Sequence, residues 1–169
     1  MDAIPHFVTL ARYNQWATAQ LLDAVAAVPE EAYRRDVGLF FRSIHGTLNH
    51  LLVGEHRLWF VRFSEGRSPQ VALDAELESD RALLDAQLRS LSARWEPWIH
   101  TVPAARWGGT LDYLTMRGTH ASLPFTATLA HVFNHATHHR GQITAALTAL
   151  GQPCPELDLV YYLQQPCAT

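Results

Sequence analysis

Four segments of the chain, each about 24 residues long, repeat apolar residues every three or four positions, and such stripes are buried by packing helix on helix. The first runs from Ile4 to Val28 through Phe7, Leu10, Ala11, Trp16, Leu21, Leu22 and Val25, and Pro29 ends it. The second, Phe41 to Phe63, carries Ile44, Leu48, Leu51, Leu52, Leu58 and Trp59 and stops ahead of Gly66 and Pro69. The third, Leu73 to Ile99, carries Leu77, Leu84, Leu88, Leu91 and Trp95, with Pro97 kinking or ending it. The last starts near Thr126, the expected N-cap, and runs to Leu150, where Gly151 and Pro153 stop it. Before it, Leu111, Tyr113 and Thr115 alternate with Asp112, Leu114 and Met116, and Arg117-Gly118 turns the chain. That pattern predicts a short hairpin or extended excursion over 111–123. Helices of this length span roughly 36 Å. The expected fold is an all-α four-helix bundle, one domain over residues 1–169, with a longer connection between the third and last helices.

With 169 residues, 48% of them hydrophobic, the chain can bury one sizeable core. A net charge of -3 and a pI near 6.3 give no basic surface for nucleic acid. All 13 basic residues are arginine, which excludes Schiff-base chemistry and a lysine general base. No apolar run reaches the roughly 18 residues of a membrane span, and the N-terminus lacks a secretory pattern. The expectation is a cytoplasmic protein without membrane contact, in which Cys154 and Cys167 stay reduced. Neither G-x-S-x-G nor a Gly-rich phosphate loop occurs.

The chemistry-bearing stretch is HVFNHATHHRGQI at 131–143. At 100° per residue, His131, His135 and His139 fall within about 80° of arc, with Gln142 inside it. Val132, Phe133, Ala136, Ile143 and Leu147 form the opposite, apolar face. Histidines at i and i+4 bring two imidazoles within reach of one ion, a condition met by both 131/135 and 135/139, so spacing leaves the pair open. The stretch lacks the glutamate of a zincin H-E-x-x-H. A catalytic ion takes about three protein ligands, so one more must come from elsewhere. His50, flanked by Leu48, Leu51 and Leu52, is placed to point into the bundle, whereas His45 and His56 are expected to be solvated.

RYNQWA at 12–17, LNHLLVGEHRLW at 48–59, HVFNHATHHRGQI and the closing LGQPCPELDLVYYL at 150–163 together resemble the DinB family of damage-inducible, YfiT-like metal-binding proteins. The resemblance implies an up-down-down-up bundle with a long crossing connection between the second and third helices. It also implies that the ligands are His50 and the H-x-x-x-H pair ahead of Arg-Gly-Gln, His135 and His139, with zinc or nickel as the ion. Similar proteins include transferases and isomerases that use bacillithiol, mycothiol or glutathione, so a thiol co-substrate, a small-molecule substrate and a homodimer are expected. A hydrolase acting through bound water and a non-catalytic metal-binding stress protein are the alternatives. Gln142 is a candidate beside the metal, and His131 a candidate partner orienting a ligand. Arg140 is expected in a structural ion pair, His138 on the helix flank, and Gly141 against a closely packed neighbour. Tyr13, Trp16 and Trp59 are expected to pack rather than line the site, and Glu55, five residues from His50, to face away from it.

Overall fold

In the computed structural model, which describes residues 3–165, helix α1 spans Ala3–Ala26, a short α2 spans Glu30–Arg34, and α3 is a continuous helix over residues 44–65. Helices α4 (Arg81–Ser92) and α5 (Trp95–Thr101) follow, then strands β1 (Thr110–Leu114) and β2 (His120–Pro124), the long α6 (Phe125–Ala149) and a short α7 (Leu159–Leu163). Two cores fix the directions. Leu21, Leu22 and Val25 of α1 pack with Ile44, Leu48, Leu84, Leu88, Ile143 and Leu147 in an aliphatic cluster. Phe7 and Ala11 pack with Phe60, Phe63, Trp95, Ile99, Phe125 and Phe133 in an aromatic one. Helix α1 therefore runs from the aromatic end to the aliphatic end, α3 and α4–α5 run back side by side, and α6 returns. This is the up-down-down-up four-helix bundle.

The third helix starts at Arg81, not Leu73, because the backbone of the preceding residues is already committed. Asn49 Oδ1 accepts from the N–H of Leu77 (2.9 Å) and Glu78 (3.0 Å), and its Nδ2 donates to Glu78 O at 3.0 Å. His50 Nδ1 meets Leu73 O at 2.7 Å. Asp80 then caps the helix by accepting from Leu83 N, and the Arg81 guanidinium donates to Val25 O and Val28 O at the end of α1. The long crossing connection is thus residues 66–80, between α3 and α4. The break between α4 and α5 falls at Ala93 and Arg94, and Pro97 sits in the first turn of α5, where its missing N–H costs nothing. Helix α6 starts one residue before Thr126: Phe125 N donates to Gly109 O at 2.9 Å, and no side chain caps it. The hairpin is present, pairing Leu111 with Leu123 and Tyr113 with Ala121. The described Cys154 is a free, exposed thiol; Cys167 lies outside the described residues. No described helix is long and apolar enough to cross a membrane.

Between the two cores lies a polar layer. Residues Leu52–Trp59 of α3 form a π-helical stretch, bonded i to i+5, as in Phe60 N to Glu55 O. The wider turn rotates Glu55 and His56 into the interior, where each is 3% exposed. Glu55 accepts from Asn14 Nδ2 at 2.5 Å, and the Oδ1 of the same amide accepts from Arg140 Nη1 at 2.5 Å. An asparagine therefore bridges a buried carboxyl and a buried guanidinium. Burial pushes the Glu55 pKa up to about 7, against the pull of Arg140 and Asn14, while burial and the nearby Arg94 and Arg57 push His56 down to about 3. His56 Nε2, 3.7 Å from the carboxyl, is thus a neutral neighbour.

Two outcomes follow from these polar contacts. Asn49→Ala removes three links to the crossing segment and should cost about 2–3 kcal/mol, read as a melting temperature lower by about 5–10 °C. Glu55 binds its proton more tightly in the fold than at its ordinary 4.5. Its contribution is therefore full below pH 4.5 and is lost as pH rises to about 7, by about 3 kcal/mol. The unfolding free energy of the wild type minus that of Glu55→Gln should fall by that amount between about pH 4.5 and 8. A flat difference would show that Arg140 keeps the carboxylate ionised throughout.

Candidate metal centre

Helix α3 offers His50 just before its π-helical stretch, and α6 offers His135 and His139 one turn apart. The three imidazoles meet in the polar layer, with one ring nitrogen of each lying within 4.8 Å of the others. His135 Nε2 is 3.3 Å from His50 Nε2 and 3.1 Å from His139 Nε2. An ion with nitrogen ligands at about 2.0–2.1 Å sets neighbouring ligands of a tetrahedron about 3.3–3.4 Å apart.

Hydrogen bonding fixes which nitrogens are free. Leu73 O can only accept, so His50 carries its proton on Nδ1 and presents a bare Nε2. His139 Nδ1 faces Gln142 Oε1 at 2.8 Å, which selects the same tautomer. Two lone pairs thus point at the third Nε2. One proton on His135 cannot sit well between three nitrogens, whereas one cation satisfies all of them. Burial depresses all three pKa values: His135 to about 3, helped by the neighbouring imidazoles, His139 to about 4, and His50 below its ordinary value. The set is neutral at pH 7, as metal ligation requires.

The surroundings are asymmetric. The Phe41 ring stacks on His50 with centroids 3.8 Å apart and lies 5.6 Å from His139, closing one side. Gly54 leaves the other side open, since a Cβ there would lie 3.4 Å from His135 Cε1 and 3.8 Å from His50 Nε2. A cavity of about 260 Å³ opens from that side, lined by His50, His135, His131, Trp59, Arg62 and Tyr113 among others. A larger groove of about 640 Å³ around Tyr33 and Arg81 gathers charges already paired with one another, and shares no lining residue with that cavity.

The structure brings His50, His135 and His139 together and corrects several neighbours. Gln142, not His131, makes the orienting hydrogen bond. His131 is exposed on the cavity wall, its ring 5.5 Å from that of His135. His138 is on the flank as expected, exposed and 3.2 Å from Gln142 Nε2. His45 and His56 are buried rather than solvated. Tyr33 Oη and Glu76 hold the two nitrogens of His45, each at 3.1 Å, and the π-helical stretch turns His56 inward. Arg140 forms no direct ion pair among the described residues and reaches Glu55 through Asn14. Gly141 is exposed, and a Cβ there would meet nothing within 4 Å, so no packed neighbour requires it. Glu55 faces Asn14, away from the triad. Trp59 lines the cavity instead of only packing, while Tyr13 and Trp16 pack under Tyr162 of α7 as expected. Arg62, which no spacing pattern in the sequence singles out, is on the cavity wall. Its separation from His50 by the π-helical stretch hid it from a regular wheel.

The model of the DinB family matches residues 4–166. The chain belongs to the DinB family. This DinB-family chain is 26% identical over 162 residues to Protein DinB of Bacillus subtilis (strain 168), covering 91% of each. Its fold matches the solved structure of YfiT from Bacillus subtilis with a TM-score of 0.64 and 18% identity, over 85% of this chain and 87% of that one. YfiT is described as a probable metal-dependent hydrolase with an unusual four-helix bundle topology.

Partners that orient a ligating imidazole are typically worth about 10–100-fold in metal affinity. Gln142→Ala should therefore weaken zinc binding by about that factor, measured by competition with a chromogenic chelator, and His131→Ala should leave it unchanged. The reverse ranking would return the orienting role to His131.

Proposed function

We propose that this DinB-family chain is a metal-dependent enzyme that activates a small nucleophile at His50, His135 and His139. The reading is carried by one observation: three neutral imidazoles present convergent Nε2 atoms beside an open cavity. A divalent ion held there supplies Lewis acidity that draws the pKa of a bound thiol or water toward neutrality. Zinc and nickel both suit an imidazole set. A purely structural ion calls for a closed site, whereas a cavity adjoins His50 and His135 here.

Thiol transfer fits the wall best. No carboxylate is among the residues lining the cavity, so no dedicated general base of that kind stands beside the triad. A thiol starts from a pKa of about 8.5 and water from about 15.7, so the thiol needs far less assistance to ionise at neutral pH. The chain's own residues then have defined tasks. Leu73 O and Gln142 hold two imidazoles in one tautomer, Phe41 keeps water from the closed face, and Trp59 and Tyr113 shape the entry. Hydrolysis is the second reading, favoured by the description of YfiT. In that reaction His131 is the one further imidazole on the wall able to accept a proton.

Cobalt-loaded protein should change its visible absorption on addition of glutathione, bacillithiol or mycothiol, and His135→Ala should lose both the metal and the response. Silence toward all three thiols would sink the transferase reading. Thiol-independent ester hydrolysis that disappears in His131→Ala would put the hydrolase in its place.

A further inference from the structure

The cavity beside the triad ends on a cation without a counter-ion. Arg62 is only 4% exposed, yet no carboxylate pairs with it among the described residues. Arg12, Arg34, Arg67, Arg81 and Arg89 each have such a partner. Buried Arg140 is answered by Glu55 through Asn14. The Arg62 guanidinium instead lies between two aromatic rings, 4.7 Å from the centroid of Trp59 and 4.5 Å from that of Tyr113. Its Nη2 donates to Leu114 O at 3.3 Å and lies 3.9 Å from Met116 Sδ, and its Nε is buried without a hydrogen-bond partner.

A buried charge with unused donors is costly unless something answers it. Two ring faces recover part of that cost, but they also hold the planar fork at a fixed angle, as recognition of a planar anion requires. The hairpin supplies one side of this clamp, since Tyr113, Leu114 and Met116 belong to β1 and the turn after it, and Trp59 of α3 supplies the other. Arg62 shares one cavity with His50 and His135 of the triad, connected along its wall by Trp59, whose ring is 5.4 Å from His131.

We propose that Arg62 binds a carboxylate of the substrate, so that the molecule accepted is a small organic acid reaching from Arg62 toward the triad. Only the position of its reacting end rests on the function proposed above. A carboxylate matches a single guanidinium in charge and in planarity. A phosphate ester, carrying up to two charges, calls for more than the one guanidinium that this wall offers.

Calorimetric titration of the full chain, with and without zinc, tests this with butanoate, its neutral analogue butanamide, and propyl phosphate. Butanoate should bind the wild type about 10–100-fold more tightly than butanamide in both metal states, as expected for a charge-assisted hydrogen bond. Arg62→Gln should abolish that preference while leaving zinc content unchanged, and Arg62→Lys should restore only part of it. Equal affinity for acid and amide in the wild type overturns the proposal without recourse to any variant, as does a preference that persists in Arg62→Gln or appears only with zinc. Tighter binding of propyl phosphate overturns the carboxylate assignment. A wild type that binds no zinc but keeps the Arg62-dependent preference would remove the metal centre and leave the anion site standing.

Discussion

Two neighbouring side chains of α3, Asn49 and His50, hold the crossing segment along their helix, and both the topology and the candidate centre depend on that contact. Asn49 fastens Leu77 and Glu78, and His50 fastens Leu73. The connection is therefore led back along α3 from its end at Glu65 to the level of its first turns, so that the next helix starts where α3 started and runs beside it. The same contact selects the His50 tautomer. In this bundle the parallel arrangement of the middle helices and the availability of one Nε2 have a common cause.

Every charged or titratable group in the polar layer is governed by burial between two apolar clusters. For the imidazoles, burial favours the neutral form, the one that can coordinate a cation. For Glu55 it favours the protonated form, opposed by the nearby charge of Arg140 and by the hydrogen bond from Asn14. Asn14 can serve both because its side chain accepts at one end and donates at the other. A direct buried ion pair would trade heavy desolvation for Coulombic gain; the amide bridge instead ties α1, α3 and α6 together at the level of the triad.

Much of this was legible in the sequence, for physical reasons. Periodicity identified α1, α3 and α6 because each buries a continuous stripe, and alternation identified the hairpin. It extended the third helix too far, since Leu73 and Leu77 continue the pattern while their backbone serves Asn49 and His50 instead. Spacing offered two histidine pairs of equal merit, and the family resemblance selected His135 and His139, which the structure brings against His50. A wheel at 100° per residue fails along Leu52–Trp59, where each turn takes more residues. Hence His56 was expected in solvent. His45 was misplaced for another reason: its partners Tyr33 and Glu76 come from segments far from it in sequence, invisible to any local pattern.

The π-helical stretch also explains how one helix can furnish both ends of the cavity. Such stretches are rare and recur at functional sites. Here His50 precedes it, Gly54 lies within it and leaves one side of the triad uncovered, and Arg62 follows it in the last turns of α3. The altered turn re-phases the helix, so that Glu55 enters the core while Leu58, Trp59 and Arg62 share a wall with His50. An uninterrupted α-helix would turn those residues through a different angle relative to His50. The local irregularity is thus offset by burial on one face and sets the spacing of the cavity on the other.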